Sequence, residues 1–278
     1  MAKETIVKVE NLKKYYSVRP QEIFSKVGQE IIKAVDDVSF EIRKGEILGL
    51  VGESGCGKTT LGKLLLKLIE PDEGRVYYQE KNFLSLPAKK LRRMRRELQI
   101  IFQDPYKSLN PRMRIAEIVS EPLIVHHLWK NKERERVKEL LKLVGLPAGS
   151  MDNFPHQFSG GERQRINIAR ALATNPKFVI CDEAVSSLDV SISAQILNLL
   201  RELQRKFSLT YLFISHDLSV VGYFCDRVMV MEKGKIVEVE KTEKLYQNPS
   251  HSYTRTLFSS IPKIKKNLPL EKGHGQEN

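Results

Sequence analysis

The pattern of apolar and polar positions at the start of the chain predicts strands before any helix. Residues 6–9 alternate between the two types, and residues 35–42 predict a second strand, with an irregular polar loop over 17–30 between them. Residues 46–51 are almost continuously apolar and lead into a glycine. Such a run is typical of a strand that is buried on both faces, as in a parallel sheet.

The leucines that follow this run recur with the period of a helix. They occupy positions i, i+3, i+4 and i+7 and predict one apolar helical face: Leu61, Leu64, Leu65 and Leu68. A further strand is predicted over 75–80. Prolines punctuate the region from about 104 to 157, and residues 133–144 predict an amphipathic helix. We interpret this region as a mostly helical subdomain inserted in a sheet domain.

Helices and strands alternate again in the second half of the chain. The predicted elements are a helix from about Gly161, a strand over 178–181, a helix over 192–207, a strand over 210–215 and a hairpin over 227–239. The 192–207 helix carries one apolar stripe: Ile192, Ile196, Leu199, Leu200, Leu203 and Phe207. The last dozen residues predict a disordered tail. The alternation as a whole favours an α/β fold.

Composition narrows the class of protein without identifying it. The chain has 278 residues, of which 41% are apolar, so there is ample material for a core. No stretch approaches the roughly 18–20 apolar residues that a membrane span needs, and the first residues lack the apolar stretch of a secretory signal. Its Cys56, Cys181 and Cys225 have no metal-ligand spacing, which favours a reducing compartment. A soluble cytosolic protein is therefore expected.

The charge leaves two classes of partner open. Lys and Arg number 46 against 34 Asp and Glu, a net charge of +12, which favours nucleic acid or an anionic membrane surface as partner. Part of the excess is concentrated in residues 89–96, which could equally form a solvated helix face. No recognised nucleic-acid-binding signature accompanies this run, so charge alone does not decide the function.

The glycine-rich segment after residue 51 matches the phosphate-binding loop G-x-x-x-x-G-K-S/T. The matching residues are Gly52, Glu53, Ser54, Gly55, Cys56, Gly57, Lys58, Thr59 and Thr60. Glycines let successive N–H groups point at phosphate oxygens, and the following helix directs its positive end at the same anion. Lys58 supplies a cation for the β- and γ-phosphates, and Thr59 offers a hydroxyl to Mg²⁺.

Two carboxylates end the predicted strand over 178–181. Asp182 is placed to hold Mg²⁺, as the Walker-B acid does in nucleoside triphosphatases. Glu183 is then the candidate to polarise the water that attacks the γ-phosphate. An acidic pair at a strand end is by itself most often a solvated terminus, but the phosphate loop earlier in the chain favours the functional interpretation.

A second anion site is predicted at Ser159, Gly160, Gly161 and Glu162. Ser159 and Glu162 have the spacing of a capping box, and the two glycines expose N–H groups at a helix start. The segment from Phe158 to Gln164 resembles the signature motif of ATP-binding cassette (ABC) proteins, usually L-S-G-G-Q. Phe158 and Glu162 depart from the commonest letters, and Glu162 places a carboxylate near a nucleotide.

The remaining motifs follow in the order found in ABC proteins. Gln103 resembles the glutamine-loop residue that touches Mg²⁺ or water, and Asp189 resembles the D-loop aspartate that crosses the dimer. His216 resembles the switch histidine that contacts the γ-phosphate. Tyr16 resembles the aromatic residue that stacks on adenine, although the adjacent Tyr15 leaves this assignment open by one position.

The resemblance covers roughly residues 5–262, and segments 102–111, 181–192 and 248–262 are similar to the oligopeptide/dipeptide importer branch. It implies an α/β P-loop NTPase with a mostly parallel core sheet, an N-terminal antiparallel β subdomain and an inserted helical subdomain. The implied domains are a nucleotide-binding domain over 1–247, its helical part over about 104–163, and a C-terminal extension with a disordered tail over 248–278.

An importer ATPase, peripheral on the cytoplasmic side of the cell membrane, is the function that the resemblance implies, with ATP and Mg²⁺ as cofactors. The expected partners are a second ABC ATPase subunit in a heterodimer, two transmembrane permease subunits and an extracellular solute-binding protein, without nucleic acid. Ser159, Gly160 and Gly161 would complete the partner's ATP site. Oligopeptides or dipeptides lead as cargo. The alternatives are nickel or another small solute, or a soluble ABC ATPase acting on nucleic acid.

Overall fold

The structure, a computed structural model, describes residues 4–18 and 30–259. Within these residues the strands are β1 (Thr5–Val18), β2 (Glu30–Arg43), β3 (Ile47–Val51), β4 (Glu73–Tyr78), β5 (Lys81–Asn82), β6 (Leu98–Ile101), β7 (Phe178–Asp182), β8 (Thr210–Ile214), β9 (Arg227–Glu232) and β10 (Lys235–Lys241). The α-helices are α1 (Lys58–Leu65), α2 (Ala88–Arg95), α3 (Pro105–Ser108), α4 (Ile115–Val125), α5 (Glu133–Leu143), α6 (Gly160–Leu172), α7 (Val190–Phe207), α8 (Leu218–Phe224), α9 (Thr242–Gln247) and α10 (Ser252–Ser259).

A mostly parallel sheet forms the centre of the described chain, with the strand order β10-β9-β3-β8-β7-β6. Strands β9, β3, β8, β7 and β6 run parallel, and only the edge strand β10 pairs antiparallel, with β9. Because β3, β8 and β7 are neighbours, the loops that leave their carboxyl ends meet at one edge. Ligands bind at this edge in open α/β sheets.

The second sheet is antiparallel and has the order β2-β1-β4-β5. It covers one face of the central sheet together with α1, while α6, α7 and α8 cover the other face. Residues along β3 alternate between the two cores: Leu48 and Leu50 pack toward the antiparallel sheet, and Ile47 and Val51 pack toward the helices. Burial on both faces explains why the run over 46–51 is apolar at nearly every position.

The region between β6 and β7 is mostly helical. It contains α3, α4, α5, the start of α6 and two short 3-10 helices, Ala148–Asp152 and Pro155–Gln157. The amphipathic helix predicted over 133–144 is confirmed as α5, whose Val137, Leu140 and Leu141 are buried. The predicted fold class is confirmed.

Several element boundaries differ from the sequence predictions. Helix α1 ends at Leu65, so Leu68 lies beyond it and is 48% exposed. Strand β4 ends at Tyr78, because Gln79 and Glu80 adopt positive φ in the turn that follows. At the other end of the chain, Phe207 closes α7 and is 43% exposed, although the stripe predicted it to be buried.

The loop predicted over 17–30 is narrower than expected, because β1 continues to Val18 and β2 begins at Glu30. Its remainder, 19–29, and the predicted disordered tail lie outside the described residues. No helix in the described ranges is long and apolar enough to cross a membrane.

The basic run over 89–96 lies on α2 and just after it. Three of its six basic side chains donate hydrogen bonds to backbone carbonyls of neighbouring elements: Arg92 to Val125 O, Arg95 to Lys67 O and Arg96 to Thr174 O. The charge cluster is therefore partly a set of structural contacts between α2 and the elements around it.

Candidate functional site

The phosphate-binding loop connects β3 to α1 and is packed against two other strands. Gly57 caps α1 with φ 111°, and a Cβ there would lie 1.9 Å from the Ala34 carbonyl oxygen. A Cβ at Gly52 would lie 2.1 Å from the Met231 carbonyl oxygen. Only glycine fits such close backbone approaches. The loop therefore curls tightly at the N-terminus of α1, where its amide groups and the helix dipole favour an anion.

Lys58 spans this loop from within. Its side chain is buried, and its Nζ donates to the carbonyl oxygens of Gly52 and Glu53, both at 2.8 Å. The ammonium group thus lies inside the curl of the loop, where it adds a positive charge to the exposed N–H groups. This combination suits the phosphate chain of a nucleotide.

Thr59 and Asp182 bring two oxygen donors together beside the loop. Thr59 Oγ1 donates to Asp182 Oδ1 at 3.1 Å, across the gap between α1 and the end of β7. Burial raises the pKa of the Asp182 carboxyl, and the nearby Glu183 charge adds to this rise, while the Thr59 hydrogen bond opposes it. Mg²⁺ takes one or two protein oxygen ligands beside substrate phosphates, so this pair fits Mg²⁺. The described residues contain no cluster of three or more His, Cys, Asp or Glu that could hold a metal without a nucleotide.

Glu183 is held between two other predicted site residues. Its Oε2 accepts from Gln103 Nε2 at 2.9 Å and lies 3.3 Å from His216 Nδ1. Its backbone has φ 49°, the left-handed region that non-glycine residues rarely adopt. Its N–H donates to Ile214 O, which ties this conformation to β8. Strained backbone of this kind costs on the order of 1–3 kcal/mol and is concentrated at functional sites.

One cleft of about 650 Å³ lies at the carboxyl edge of the central sheet, and Asp182 adjoins it through its hydrogen bond with Thr59. The cleft joins the phosphate loop to Gln103, Glu183 and His216, and Tyr16 lies at its far side with Ile32. Tyr16 is 40% exposed, whereas the Tyr15 hydroxyl donates to Asp36 at 2.6 Å. The structure therefore places Tyr16, rather than Tyr15, where a base could stack.

The predicted second anion site does not line this cleft. Ser159 caps α6, and the capping box is present: the Ser159 N–H and hydroxyl donate to Glu162 Oε2 at 2.9 and 2.7 Å. The hydrogen bond from the Ser159 hydroxyl, with that from its N–H, holds the pKa of Glu162 below its usual value. Gly161 packs so closely that a Cβ would lie 2.5 Å from Ile192 Cγ2. Asp189 is the N-cap residue of α7, and it likewise does not line the cleft.

Sequence reasoning missed several residues that shape the site. Gln164 is fully buried in α6 and donates to Ala184 O at 2.7 Å, which links the α6 start to the loop after Glu183. A polar pair at Gln164 and Asn167 within an apolar helix face was a usable signal. Tyr253 accepts a hydrogen bond from the Glu53 N–H at 3.1 Å, across 200 positions of sequence. No local sequence pattern predicts that contact.

Comparison with known protein families finds two matches, to separate parts of the chain. The family described as ABC transporter matches residues 35–186. The family described as oligopeptide/dipeptide transporter, C-terminal region, matches residues 237–278. The first match includes the phosphate loop, the signature segment and both strand-end carboxylates.

Curated relatives match nearly the whole chain. The chain is 50% identical over 265 residues to the oligopeptide transport ATP-binding protein AppF of Bacillus subtilis, which covers 95% of this chain and 80% of that protein. It is 49% identical over 262 residues to the dipeptide transport ATP-binding protein DppF of Haemophilus influenzae, covering 94% of this chain and 79% of that protein.

Solved structures of cassettes superpose on the same fold. CbiO1 from Clostridium perfringens, part of the ABC transporter complex CbiONQ, aligns with a TM-score of 0.74 and 27% identity, over 88% of this chain and 92% of that one. The ATP-binding cassette MJ0796, a dimer bound to ADP and Pi, aligns with a TM-score of 0.73 and 32% identity, over 85% and 99%.

Proposed function

This chain belongs to the ABC transporter family, and we propose that it is the ATP-hydrolysing subunit of an importer of oligopeptides or dipeptides. One observation carries the proposal: the phosphate loop, Glu183 and His216 line one cleft, with Asp182 bonded to Thr59 beside it, in a chain that is 50% identical over 265 residues to an oligopeptide transport ATP-binding protein. The match to the oligopeptide/dipeptide C-terminal family favours peptide cargo over nickel or another solute.

ATP binding uses groups that the fold has already positioned. The loop amides and Lys58 take the β- and γ-phosphates, and Tyr16 stacks on the base. Mg²⁺, held by Thr59 and Asp182 with Gln103 close by, would neutralise charge on the phosphates. Because Lys58 is already fixed to two loop carbonyls, little rearrangement is needed when the phosphates arrive.

Hydrolysis is assigned to the carboxylate that ends β7. Glu183 accepts a proton from water as the water oxygen attacks the γ-phosphorus, and the bond from that phosphorus to the β,γ-bridging oxygen breaks to release ADP. Gln103 and His216 orient the Glu183 carboxylate through the contacts described above. His216 is 58% exposed at its side chain, so it can also reach the γ-phosphate.

The position of the signature segment supports a dimer. The residues Ser159, Gly160, Gly161, Glu162 and Asp189 do not line this chain's own cleft, which leaves them available to a nucleotide on another chain. We propose that they complete the ATP site of a second ABC ATPase subunit, whose signature segment completes the site described here. The dimeric cassette bound to ADP and Pi supports the pairing of two such chains.

A second cleft supports docking of permease subunits. It encloses about 830 Å³ and is lined by residues of the glutamine loop and α4, including Phe102, Gln103, Pro122, Val125 and His126. Thr59 and Gln103 line both this cleft and the nucleotide cleft, and Asp182, which lines this one, is bonded to Thr59. A permease segment seated here could therefore sense the nucleotide, and it would hold the chain peripherally on the cytoplasmic side of the membrane.

The proposal is tested by recovering the chain with its partners from gently solubilised membranes and identifying them by mass spectrometry. Two multi-span proteins, a second cassette and a solute-binding protein are expected. Val125→Glu should lose the permeases and keep ATP binding, whereas Phe207→Glu, a similarly exposed apolar residue on α7, should keep both. Peptide-stimulated ATPase in the reconstituted assembly would support peptide import. Recovery of nucleic acid without membrane proteins, or stimulation by nickel alone, would overturn it.

A further inference from the structure

The C-terminal segment 248–259 is anchored to the cassette by specific contacts. The carboxylate of Glu238 on β10 accepts from the N–H groups of Ser250 and His251, at 2.8 and 3.0 Å. Thr254, in the first turn of α10, is fully buried. These contacts give α10 a defined position over the carboxyl edge of the central sheet.

This segment reaches the phosphate loop through one hydroxyl. The Glu53 N–H donates to Tyr253 Oη at 3.1 Å, while the Glu53 carbonyl accepts from Lys58 Nζ at 2.8 Å. Glu53, which precedes the phosphate-binding amides, is thus bonded at its N–H to Tyr253 and at its carbonyl to Lys58. The Tyr253 hydroxyl is neutral at physiological pH, and burial raises its pKa further.

The segment also packs on a tyrosine of α9 that is bonded to the start of α8, just after His216. Tyr246 on α9 donates from its hydroxyl to Leu218 O, two residues after His216, and its ring packs edge-on against Phe258 at 4.7 Å between centroids. A Cβ at Gly222 would lie only 2.8 Å from the Tyr246 ring, so α8 and α9 pack very closely. The C-terminal segment therefore contacts the phosphate loop directly and the start of α8 through Tyr246.

We propose that Tyr253 is a positioning residue that holds the phosphate loop in its nucleotide-binding conformation, so that the C-terminal segment contributes to ATP affinity. The inference rests on the proposed function, because it requires that this loop binds the nucleotide. Tyr253 touches neither Glu183 nor His216, so it acts on binding of phosphates and not on the hydrolytic step. ATP and ADP, which share the β-phosphate, should be affected alike.

The test is Tyr253→Phe in the full chain, which removes one oxygen and keeps the ring. We expect the Kd for ATP and for ADP to rise by about two- to tenfold, the range for one neutral hydrogen bond. KM for ATP should rise by the same factor in the assembled transporter, while kcat stays unchanged. Hydrogen exchange should speed up at the loop amides near Glu53. Tyr223→Phe, an exposed tyrosine on α8, is the matched control and should change none of these.

Two outcomes separate the inference from the function it rests on. Lys58→Ala should weaken ATP binding far more than Tyr253→Phe does; if it leaves binding intact, the proposed nucleotide site is wrong. If Lys58→Ala abolishes binding while Tyr253→Phe leaves affinity and exchange unchanged, only the positioning of the loop by Tyr253 is overturned. A fall in kcat without a change in KM would also contradict the inference.

Discussion

Replacing Glu183 with glutamine is the most direct test of how the cleft works. Glutamine has the same size, and its amide oxygen can still accept from Gln103, so the local geometry should be kept. What is lost is the basic carboxylate. ATP binding should stay as tight or become tighter, because the change removes a negative charge from beside the γ-phosphate position.

The expected loss in rate follows from the function of a general base. A positioned base contributes about 10²–10⁴-fold, so kcat should fall by that factor, which is about 3–5 kcal/mol of transition-state stabilisation. Among the described residues that line this cleft, Glu183 is the only carboxylate, so no second carboxylate stands ready to replace the base.

The assay is phosphate release by the assembled transporter under saturating Mg·ATP, together with binding of a fluorescent ATP analogue to the full chain. Glu135→Gln, an exposed glutamate on α5, is the matched control and should retain full activity. A Glu183→Gln variant that hydrolyses ATP within a few-fold of the parent rate would refute the assignment of Glu183 as the base. Loss of ATP binding in that variant would refute the argument that its contribution is confined to hydrolysis.

Three further predictions address the other parts of the site. Tyr16→Ala should weaken ATP binding roughly tenfold, since base stacking contributes about 1–3 kcal/mol; Tyr15→Phe should leave affinity unchanged and lower the thermal midpoint, because it loses only the Asp36 hydrogen bond. Isothermal titration with both variants checks this, and equal effects would contradict the placement of Tyr16. Burial raises the pKa of Asp182 above 3.8, so the folded chain binds the Asp182 proton more tightly than the unfolded chain does. The free energy of unfolding therefore falls as pH rises from the unfolded-state pKa of Asp182 to its folded-state pKa. Asp182→Asn should therefore raise the melting temperature of the nucleotide-free chain at neutral pH and reduce its stabilisation by Mg·ATP; a lower melting temperature at pH 7 would show the sign to be wrong. Ser159→Arg should damage the ATP site of the partner subunit and spare this chain's own, measured by photo-crosslinking of labelled ATP to each subunit; equal labelling of both would count against sites shared between chains.

Local features of this protein were readable from its sequence because local backbone conformation depends on neighbouring residues. The glycines of the phosphate loop, the Ser159–Glu162 capping box and the all-apolar strand before Gly52 each satisfy a rule that involves only a few consecutive positions. Lys58, Asp182 and His216 each follow a predicted strand of the parallel sheet, and parallel strands bring their carboxyl ends to one edge. The order of the motifs and their resemblance to those of ABC proteins then indicated the cassette.

Long-range packing decided what remained. Which of two adjacent tyrosines faces the cleft depends on Asp36, which takes the Tyr15 hydroxyl and leaves Tyr16 exposed. The bond from Glu53 to Tyr253 joins residues 200 positions apart, and it exists only because β10 fixes the C-terminal segment over the sheet edge. The sequence by itself therefore determined the chemistry of the site, through short motifs that shape the backbone. The tertiary structure alone decided which distant side chains hold that backbone, because such contacts depend on how whole sheets and helices pack.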